Sequence, residues 1–421
     1  MIYVYDSGHF VIRKVTPSGQ VSILAGKLDQ AGSLDGTGTN AQFGLGYGIA
    51  VNSLGTVYVA VTFDHTVRKI TPDGIVTTLA GLAKASGYLD GSGSAARFDQ
   101  PRGIVADSTG TVYVTDKSNT VRRITPDGVV STIAGLAGTS GYVDAVGSAA
   151  RFGSANGLAI DHNGTVYVAD GDNGGTHTIR KVTPDGTVST LAGLAGSYGF
   201  VDGLGSEARF YGPGSLTVDG GGTLYVGDNC TIRTVTAAGM VTTIAGAAGS
   251  CGLIDGTGSV ARLNVDNVSF GAIGVDSSGT VYFLHPVMIG SSLTPALRAV
   301  TADHVVTTLI PANGSPGIVD GPGETARFSS PQGVAFGRGM IYEVDWMLVR
   351  SITPAGVVAR TQLIDATRGV AVDAAGTVYV TLGCGIQNMT ARATLAGSTL
   401  SIGPGACAAA AAAHVFGAPG R

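Results

Sequence analysis

The sequence has 421 residues and a net charge of −4, and only 13% of its residues are charged. Lysine and arginine total 25 against 29 acidic residues, so the chain offers no broad basic surface and nucleic-acid binding is not expected. No secretory signal opens the sequence, and no apolar run is long enough to span a membrane. The 67 glycines and the low charge favour many short apolar strands joined by turns.

Short β-rich runs centred on a tyrosine recur along the chain. Successive tyrosines are 54 to 60 residues apart in six of the seven intervals and 37 residues apart in the last. Such spacing indicates a repeat architecture, in which each unit buries its apolar faces against its neighbours. The central residues are Tyr3, Tyr58, Tyr113, Tyr167, Tyr225, Tyr282, Tyr342 and Tyr379.

Residues 103–135 show what one repeat contains. They divide into four β-rich runs, at 103–106, 111–114, 120–124 and 129–133, separated by Asp-Ser-Thr-Gly and Thr-Pro-Asp-Gly segments with turn chemistry. Four antiparallel strands of this length form one twisted sheet, which cannot bury both of its faces alone. Sheets stacked around an axis can do so. The sequence therefore predicts an all-β fold, a single β-propeller of four-stranded antiparallel blades.

Both ends of the repeat array are incomplete in this sequence. Residues 1–26 enter at a second strand and form a partial first blade, 48–364 hold six complete repeats, 369–397 form the last repeat and 398–421 a tail. A propeller over residues 1–421 has seven blades if the strand at 369–372 completes the N-terminal strands. It has eight if residues 369–397 stand alone, and counting the tyrosine strands favours eight. A fragment of a longer protein, or a wrongly assigned start of the sequence, would also explain the incomplete ends.

The repeat resembles the NHL family of β-propellers. The resemblance is carried by Gly-Leu-Ala-Ile-Asp at 157–161, Val-Tyr-Val-Ala-Asp at 166–170, Ile-Arg-Lys-Val-Thr-Pro-Asp-Gly at 179–186 and Thr-Leu-Ala-Gly at 190–193. The linker at 87–98, Gly-Tyr-Leu-Asp-Gly-Ser-Gly-Ser-Ala-Ala-Arg-Phe, resembles the extended bacterial form of this repeat. The resemblance implies a propeller but leaves function open, because such propellers serve as binding platforms, sensors and, less often, lyases or hydrolases.

Four-stranded blades place the loop between the second and third strands at the same face as the linker to the next blade. The turns of the opposite face are short and uniform here, whereas the linkers have roughly 20 residues, so function is predicted on the face with the long loops. Exposed apolar side chains there indicate a partner, although the segment around Met288 could also fold over the channel mouth. Candidate binding residues are His285, Met288, Ile289, Trp346, Phe63 and Lys117.

The four cysteines predict two disulfides. Cys230 and Cys384 each come five residues after a strand tyrosine, and Cys251 and Cys407 follow in the outgoing linkers of the same repeats. The pairing 230–251 with 384–407 is favoured over the other two connectivities, and four free thiols are the alternative. Each bond would close a loop of about 20 residues and contribute about 2–4 kcal/mol. Disulfides predict a secreted, periplasmic or cell-surface protein.

An aspartate and an arginine seven residues apart recur in the linkers. Repetition in nearly every blade favours a structural role, with the aspartate accepting from loop amides or from arginine and a following phenylalanine filling the core between blades. A ring of ligand-binding charges is the alternative. The pairs are Asp90 and Arg97, Asp144 and Arg151, Asp202 and Arg209, Asp255 and Arg262, and Asp320 and Arg327.

Catalytic and metal-binding patterns are sparse. The sequence has no nucleophile elbow, Walker loop or His-Glu-x-x-His motif, and its seven histidines show no spacing that indicates a three-histidine zinc centre. Asp170, Asp172 and Asn173 could supply oxygen ligands to calcium, although the loop lacks the later glutamate of an EF-hand. No other cofactor is predicted.

Together these patterns predict a non-enzymatic, extracytoplasmic binding module that takes a protein or carbohydrate on its long-loop face. One alternative is a lyase or hydrolase with a metal-assisted site at the mouth of the central channel. The other is a sensor or adhesive fragment of a larger surface protein.

Overall fold

A computed structural model describes most of the chain up to residue 363 and two short strands beyond it. The described residues are 2–6, 10–15, 21–28, 30–46, 48–52, 54–171, 175–264, 273–276, 278–285, 288–289, 292–293, 296–310, 331–337, 340–345, 348–353, 357–363, 370–372 and 378–380. Within them, secondary structure consists of β-strands and single-turn 3-10 helices. The prediction of an all-β fold is therefore confirmed.

The strands form successive antiparallel sheets. The first sheet contains β1 (Ile2–Asp6), β2 (Val11–Val15) and β3 (Val21–Ala25). The second contains β4 (Gly36–Thr37), β5 (Gly48–Val51), β6 (Val57–Val61), β7 (Thr66–Ile70) and β8 (Ile75–Ala80). The third contains β9 (Gly91–Ser92), β10 (Ile104–Ala106), β11 (Val112–Asp116), β12 (Thr120–Ile124) and β13 (Val129–Ala134). The fourth contains β14 (Ala155–Ile160), β15 (Val166–Asp170), β16 (Thr178–Val182) and β17 (Val188–Ala192).

The same pattern continues towards the C-terminus. The fifth sheet contains β18 (Gly203–Leu204), β19 (Pro213–Val218), β20 (Leu224–Asp228), β21 (Thr231–Val235) and β22 (Met240–Gly246). The sixth contains β23 (Gly256–Thr257), β24 (Ile273–Val275), β25 (Val281–His285), β28 (Ala296–Val300) and β29 (Val305–Ile310), with the hairpin β26 (Met288–Ile289) and β27 (Ser292–Leu293) between β25 and β28. The seventh contains β30 (Pro331–Gly337), β31 (Met340–Asp345), β32 (Leu348–Ile352) and β33 (Val358–Leu363), and the last pair is β34 (Val370–Val372) and β35 (Val378–Val380).

Each linker aspartate is followed by residues that wrap around the next sheet. In the second, third, fifth and sixth sheets, a two-residue strand of the incoming linker pairs with the fourth long strand and covers part of the outer edge. Single-turn helices follow these strands or occupy a strand loop. Their bounds are Gly38–Asn40, Thr62–Asp64, Gly93–Ala95, Gly205–Glu207 and Gly258–Val260.

In the fourth, fifth and sixth sheets, the strand tyrosine ties its sheet to the first turn. The Tyr167 hydroxyl donates to the Asp161 carboxylate at 3.2 Å, while Asp161 also accepts from the Thr165 amide at 2.9 Å. Burial and the neighbouring Asp161 charge raise the pKa of Tyr167 to about 12, so the hydroxyl keeps its proton. The same turn is repeated in the fifth and sixth sheets. One tyrosine thus fixes a tight turn and fills the core.

The core lies between neighbouring sheets. Phe98 is fully buried among Tyr58 and Leu79 of the second sheet and Val112 of the third. Phe152 is buried in the same way in the next interface. This confirms that the linker phenylalanines fill the space between blades; Phe328 lies outside the described residues.

The first long strands contact one another in chain order and arrange the sheets as a ring. β5 contacts β10, and the series continues through β14, β19, β24, β30 and β34. β1 contacts both β34 and β35 at one end of the series and β5 at the other. This arrangement is a β-propeller. The number of blades, seven or eight, stays a prediction.

Candidate functional site

Hydrogen bonds join the loops between second and third strands to the linkers at one end of the sheets. The Lys84 amide donates to the Asp64 carbonyl at 3.1 Å, and the Gly138 amide donates to the Ser118 carbonyl at 3.1 Å. We call this end the loop face and the opposite end the turn face. The loop face comprises loops 62–65, 117–119, 175–177 and 229–230 and both ends of the linkers 81–103, 135–154, 193–212 and 246–264. The middle of a linker reaches the turn face, where the Gly93 amide donates to the Gly128 carbonyl at 3.0 Å.

Phe63 and Lys117 lie on the loop face. Phe63 is 50% exposed, and its amide donates to the Leu45 carbonyl at 3.0 Å. Lys117 is exposed, and its amide donates to the Asp99 carbonyl at 2.8 Å. Incoming linkers therefore hold the backbone of both residues while their side chains reach solvent. A role of these two side chains in binding stays a prediction.

The other predicted binding residues belong to later sheets. His285 ends β25, and Met288 and Ile289 form β26, which pairs with β27. The side chains of these three residues and all of Trp346 lie outside the described part of the chain. Their binding role stays a prediction.

Cys230 and Cys251 form a disulfide, with 4.7 Å between their Cα atoms. Cys230 is buried directly before β21, and Cys251 is exposed in the outgoing linker. The predicted pairing of these two cysteines is thereby confirmed. Cys384 and Cys407 lie outside the described residues, so their bond stays a prediction.

The linker aspartates pair with strand arginines and not with the arginines seven residues later. Asp144 accepts from Arg180 of β16 at 2.6 Å, and it also accepts from the Thr190 amide at 2.8 Å. Arg151 instead donates to the carbonyls of Ser148 and Ala150, at 2.6 and 2.7 Å. The aspartate and the arginine of one linker therefore do not pair with each other, which corrects that expectation.

This correction applies to every described repeat of the pattern, and its cause is the path of the linker. A linker wraps the outer edge of the next sheet, so its aspartate accepts from an amide of the fourth strand and from the arginine of the adjacent third strand, as Asp90 does from Thr132 and Arg122. The observed ion pairs are Asp35 with Arg68, Asp90 with Arg122, Asp144 with Arg180, Asp202 with Arg233, and Asp255 with Arg298. The linker arginines Arg97, Arg209 and Arg262 donate to nearby carbonyls. Asp320 and Arg327 lie outside the described residues.

Each of three strand arginines also meets a second, buried carboxylate. Arg180 Nη1 lies 3.1 Å from Asp170, and the Arg180 guanidinium lies 5.2 Å from the ring centre of Phe152. Burial raises the pKa of Asp170, although amide donors from Ser154 and Gly153 and the charge of Arg180 oppose the shift. Asp116 and Asp228 have the corresponding positions beside Arg122 and Arg233. Each of these three arginines thus lies between a linker aspartate and a buried strand aspartate.

Asp170 was also a candidate calcium ligand. Its carboxylate accepts from the amides of Gly153 and Ser154 and from Arg180, so a calcium ion would have to displace these donors. Asp172 and Asn173 lie outside the described residues. Across the described ranges, no three His, Cys, Asp or Glu side chains are grouped so that they could hold a metal ion.

An exposed aromatic cluster lies on the loop face between the fourth and fifth sheets. Tyr198 is 69% exposed and Tyr211 44%, with their ring centres 5.6 Å apart and nearly perpendicular at 85°. Phe200 stacks on Tyr211 at 5.2 Å and 9°, and the His177 ring lies 5.8 Å from that of Tyr198. We call His177, Tyr198, Phe200 and Tyr211 the aromatic cluster.

The backbone brings the two parts of this cluster together. Gly193 begins the linker at φ 96°, and a Cβ atom there would lie 2.5 Å from the His177 carbonyl oxygen, so only glycine allows this approach. The Gly196 amide then donates to the Gly175 carbonyl at 2.9 Å, and the Tyr211 amide donates to Asp228 at 2.9 Å. Both ends of the linker are thus fixed to strand loops.

Tyr198 and Tyr211 are not among the candidate binding residues predicted from the sequence. The signal was present, because four residues before the linker aspartate the other described linkers have serine, alanine or cysteine, as at Ser140 and Cys251. Two residues after the linker arginine they have small or polar residues, as at Gly153 and Asn264. An alignment of the linkers would have shown both tyrosines as departures from the repeat.

Comparison with known proteins supports the repeat assignment. Residues 98–120 match the family model described as NHL repeat. Teneurin-4 of Mus musculus is 29% identical over 244 residues, which is 50% of this chain and 9% of teneurin-4. The chain thus spans less than a tenth of the length of this relative.

Two solved structures share the fold. A structure described as a streptogramin B lyase aligns with a TM-score of 0.52 and 16% identity, over 80% of this chain and 90% of that one. The virginiamycin B lyase of Staphylococcus aureus aligns with a TM-score of 0.50 and 16% identity, over 80% and 91%. At this identity the likeness shows the fold alone.

In the described part of the chain, no helix has the length and apolarity needed to cross a membrane. The chain is a β-propeller that carries an NHL repeat at residues 98–120.

Proposed function

We propose that this chain is a non-enzymatic, extracytoplasmic binding module whose ligand site lies on the loop face. The observation that carries the proposal is the exposure of Tyr198 and Tyr211 at positions where the other linkers have small or polar residues. In a repeat protein the repeated residues build the scaffold, so function concentrates where the repetition is broken. Exposed, clustered tyrosines are side chains typical of recognition surfaces.

The location outside the cytoplasm rests on the Cys230–Cys251 disulfide. Structural disulfides persist in oxidising compartments and are rare in the cytosol. Secreted, periplasmic and cell-surface sites are all oxidising, and the proposal includes all three. The teneurin similarity covers about half of this chain and supports the propeller rather than any particular partner.

We also propose that residues 1–421 form one propeller domain, with residues 1–26 and 369–397 at the point where the ring closes. The contacts of β1 with β34 and β35 support this closure. Limited proteolysis tests it, since one closed domain should resist cleavage between residues 48 and 364 and lose protection cooperatively on heating.

Binding through the loop face can be tested without knowing the ligand. Labelled full-length protein is applied to an oligosaccharide array and to a peptide array, beside a loop-face variant, Tyr198→Ala, and a turn-face variant, His162→Ala. His162 is exposed in the turn between β14 and β15, which makes it a matched control. Retention that is lost in Tyr198→Ala and kept in His162→Ala supports the proposal. Loss in His162→Ala alone, or no binding on either array, contradicts it.

A further inference from the structure

We infer that the aromatic cluster is a binding site for a neutral saccharide, an assignment that rests on the proposed function and specifies its ligand. A pyranose ring has one face of C–H groups and a rim of hydroxyls. It therefore binds an exposed aromatic face with free hydrogen-bonding groups beside that face. The cluster provides both.

The rings are pre-organised. Tyr211 is stacked against Phe200 and meets Tyr198 edge-on, so the contacts among the rings hold them in place before any ligand arrives. The turn at Leu194–Ser197 and the bond from the Gly199 amide to the Phe210 carbonyl, 3.0 Å, fix the backbone on either side of Tyr198. Little side-chain freedom is lost on binding, which favours affinity for a small ligand.

The hydroxyls of the cluster are available to a ligand. Strand tyrosines use theirs internally, as Tyr225 does when it donates to Asp219 at 3.3 Å. Tyr198 and Tyr211 make no such bond within the described residues, although both are exposed. A phenolic hydroxyl both donates and accepts, and sugar hydroxyls require both functions. These two tyrosines therefore provide an apolar face together with hydroxyls at its edge.

The described charges around the cluster are paired with protein groups. Asp202 accepts from Arg233 at 2.7 Å and from the Thr243 amide at 2.8 Å. Asp228 accepts from Tyr211 and Gly212 amides and from Arg233. Arg209 donates to two linker carbonyls. Residues 193–201 contain no charged side chain. The site therefore favours an uncharged ligand over an acidic or basic one.

The size of the cluster favours a small ligand over a protein. Aromatic side chains bury about 150–250 Å² each, so the partly exposed rings present roughly 300 Å². A stable protein interface takes about 800 Å² from each partner. A cluster of this size matches one or two sugar units instead. The glycine-rich linker around it adds few other large side chains to extend the contact.

The test uses full-length protein and neutral oligosaccharides. The neutral oligosaccharide that gives the strongest signal on the array is titrated calorimetrically into native protein and four variants: Tyr198→Ala, Tyr198→Phe, Tyr211→Ala and Tyr142→Ala. Tyr142 is the matched control, because it is 62% exposed in the preceding linker and lacks the ring contacts of the cluster. Circular dichroism melts of each variant show that the fold is kept.

We expect Tyr198→Ala and Tyr211→Ala each to weaken binding about tenfold or more. Tyr198→Phe should retain binding within about threefold, because the ring face remains. Tyr142→Ala should bind as the native protein does. Equal binding by native protein and Tyr198→Ala overturns the site assignment, and so does equal loss in Tyr142→Ala. Binding to peptides alone, with dependence on Tyr198, overturns the saccharide assignment but leaves the proposed function standing. Self-association of the native protein that is lost in Tyr198→Ala also overturns the saccharide assignment.

Discussion

Cys230 and Cys251 are bonded at the two positions that His177 and Tyr198 occupy in the preceding repeat. Cys230 and His177 each directly precede a third strand, and Cys251 and Tyr198 each stand four residues before a linker aspartate. One junction between strand loop and linker is therefore closed covalently, and its neighbour by two rings whose centres lie 5.8 Å apart. The scaffold fixes the junction, and the residues placed there give each repeat its own chemistry.

Removal of the disulfide should lower stability without changing the fold. Cys251→Ser opens a cross-link between residues 21 apart, and we expect a loss of about 2–4 kcal/mol in the free energy of unfolding. Urea denaturation with and without reductant measures it. Ser140→Ala, at the same linker position of another repeat, is the control and should behave as the native protein. Reductant that leaves the native midpoint unchanged would argue against the bond.

The strand and linker arginines of one repeat should differ sharply in importance. Arg180→Met leaves the buried Asp170 carboxylate without its cationic partner, and we expect a loss of about 3–5 kcal/mol in stability. Arg151→Met removes donors from two carbonyls at a partly exposed site, and we expect about 1 kcal/mol. Equilibrium denaturation of both variants makes the comparison. Equal losses of stability would mean that the linker arginine contributes as much to the stability of the fold as the strand arginine does.

Acid should weaken the ion pair of Asp202. Burial alone would raise its pKa, but donors from the Thr243 amide, from Arg233 and from the Thr243 hydroxyl outweigh burial and lower the pKa. A folded-state pKa below the unfolded value of about 3.9 contributes stability above that pH, and the contribution is lost as pH falls through the folded pKa.

The variant Asp202→Asn tests this sign. We expect the stability difference between native protein and variant to be full near pH 6 and to shrink below about pH 4. Denaturation at a series of pH values measures it, and Asp255→Asn provides an independent repeat because the pKa of Asp255 is also lowered. A stability difference between native protein and variant that grows as the pH falls would contradict a lowered pKa of Asp202.

The linker phenylalanine should tolerate leucine better than alanine. Phe98 is fully buried between the second and third sheets, so Phe98→Ala leaves a cavity and should cost about 3–5 kcal/mol. Leu263 fills the corresponding place in a later linker and is also fully buried, so Phe98→Leu should cost about 1 kcal/mol. Thermal and chemical denaturation distinguish the two. Similar losses would mean that the contact of the ring with Arg122, at 4.9 Å, dominates.

Local patterns predicted the parts of the structure that depend on neighbours in sequence. The tyrosine strands and their turns could be identified because alternation and turn residues act within a few positions. The Cys230–Cys251 bond could be identified because both cysteines belong to one repeat. The partner of Asp144 could not, because Arg180 is 36 residues away and meets it only after the linker has wrapped the next sheet.

The sequence by itself determined the all-β repeat, the buried linker phenylalanines and the cysteine pair, since each follows from spacing and residue type. Tertiary structure alone decided which arginine neutralises each linker aspartate, because that contact needs the path of the linker over a sheet edge. It also decided that His177 meets Tyr198 and that Phe200 stacks on Tyr211. Those contacts join residues from a strand loop and both parts of a linker, and only the packing of consecutive sheets brings them to one place.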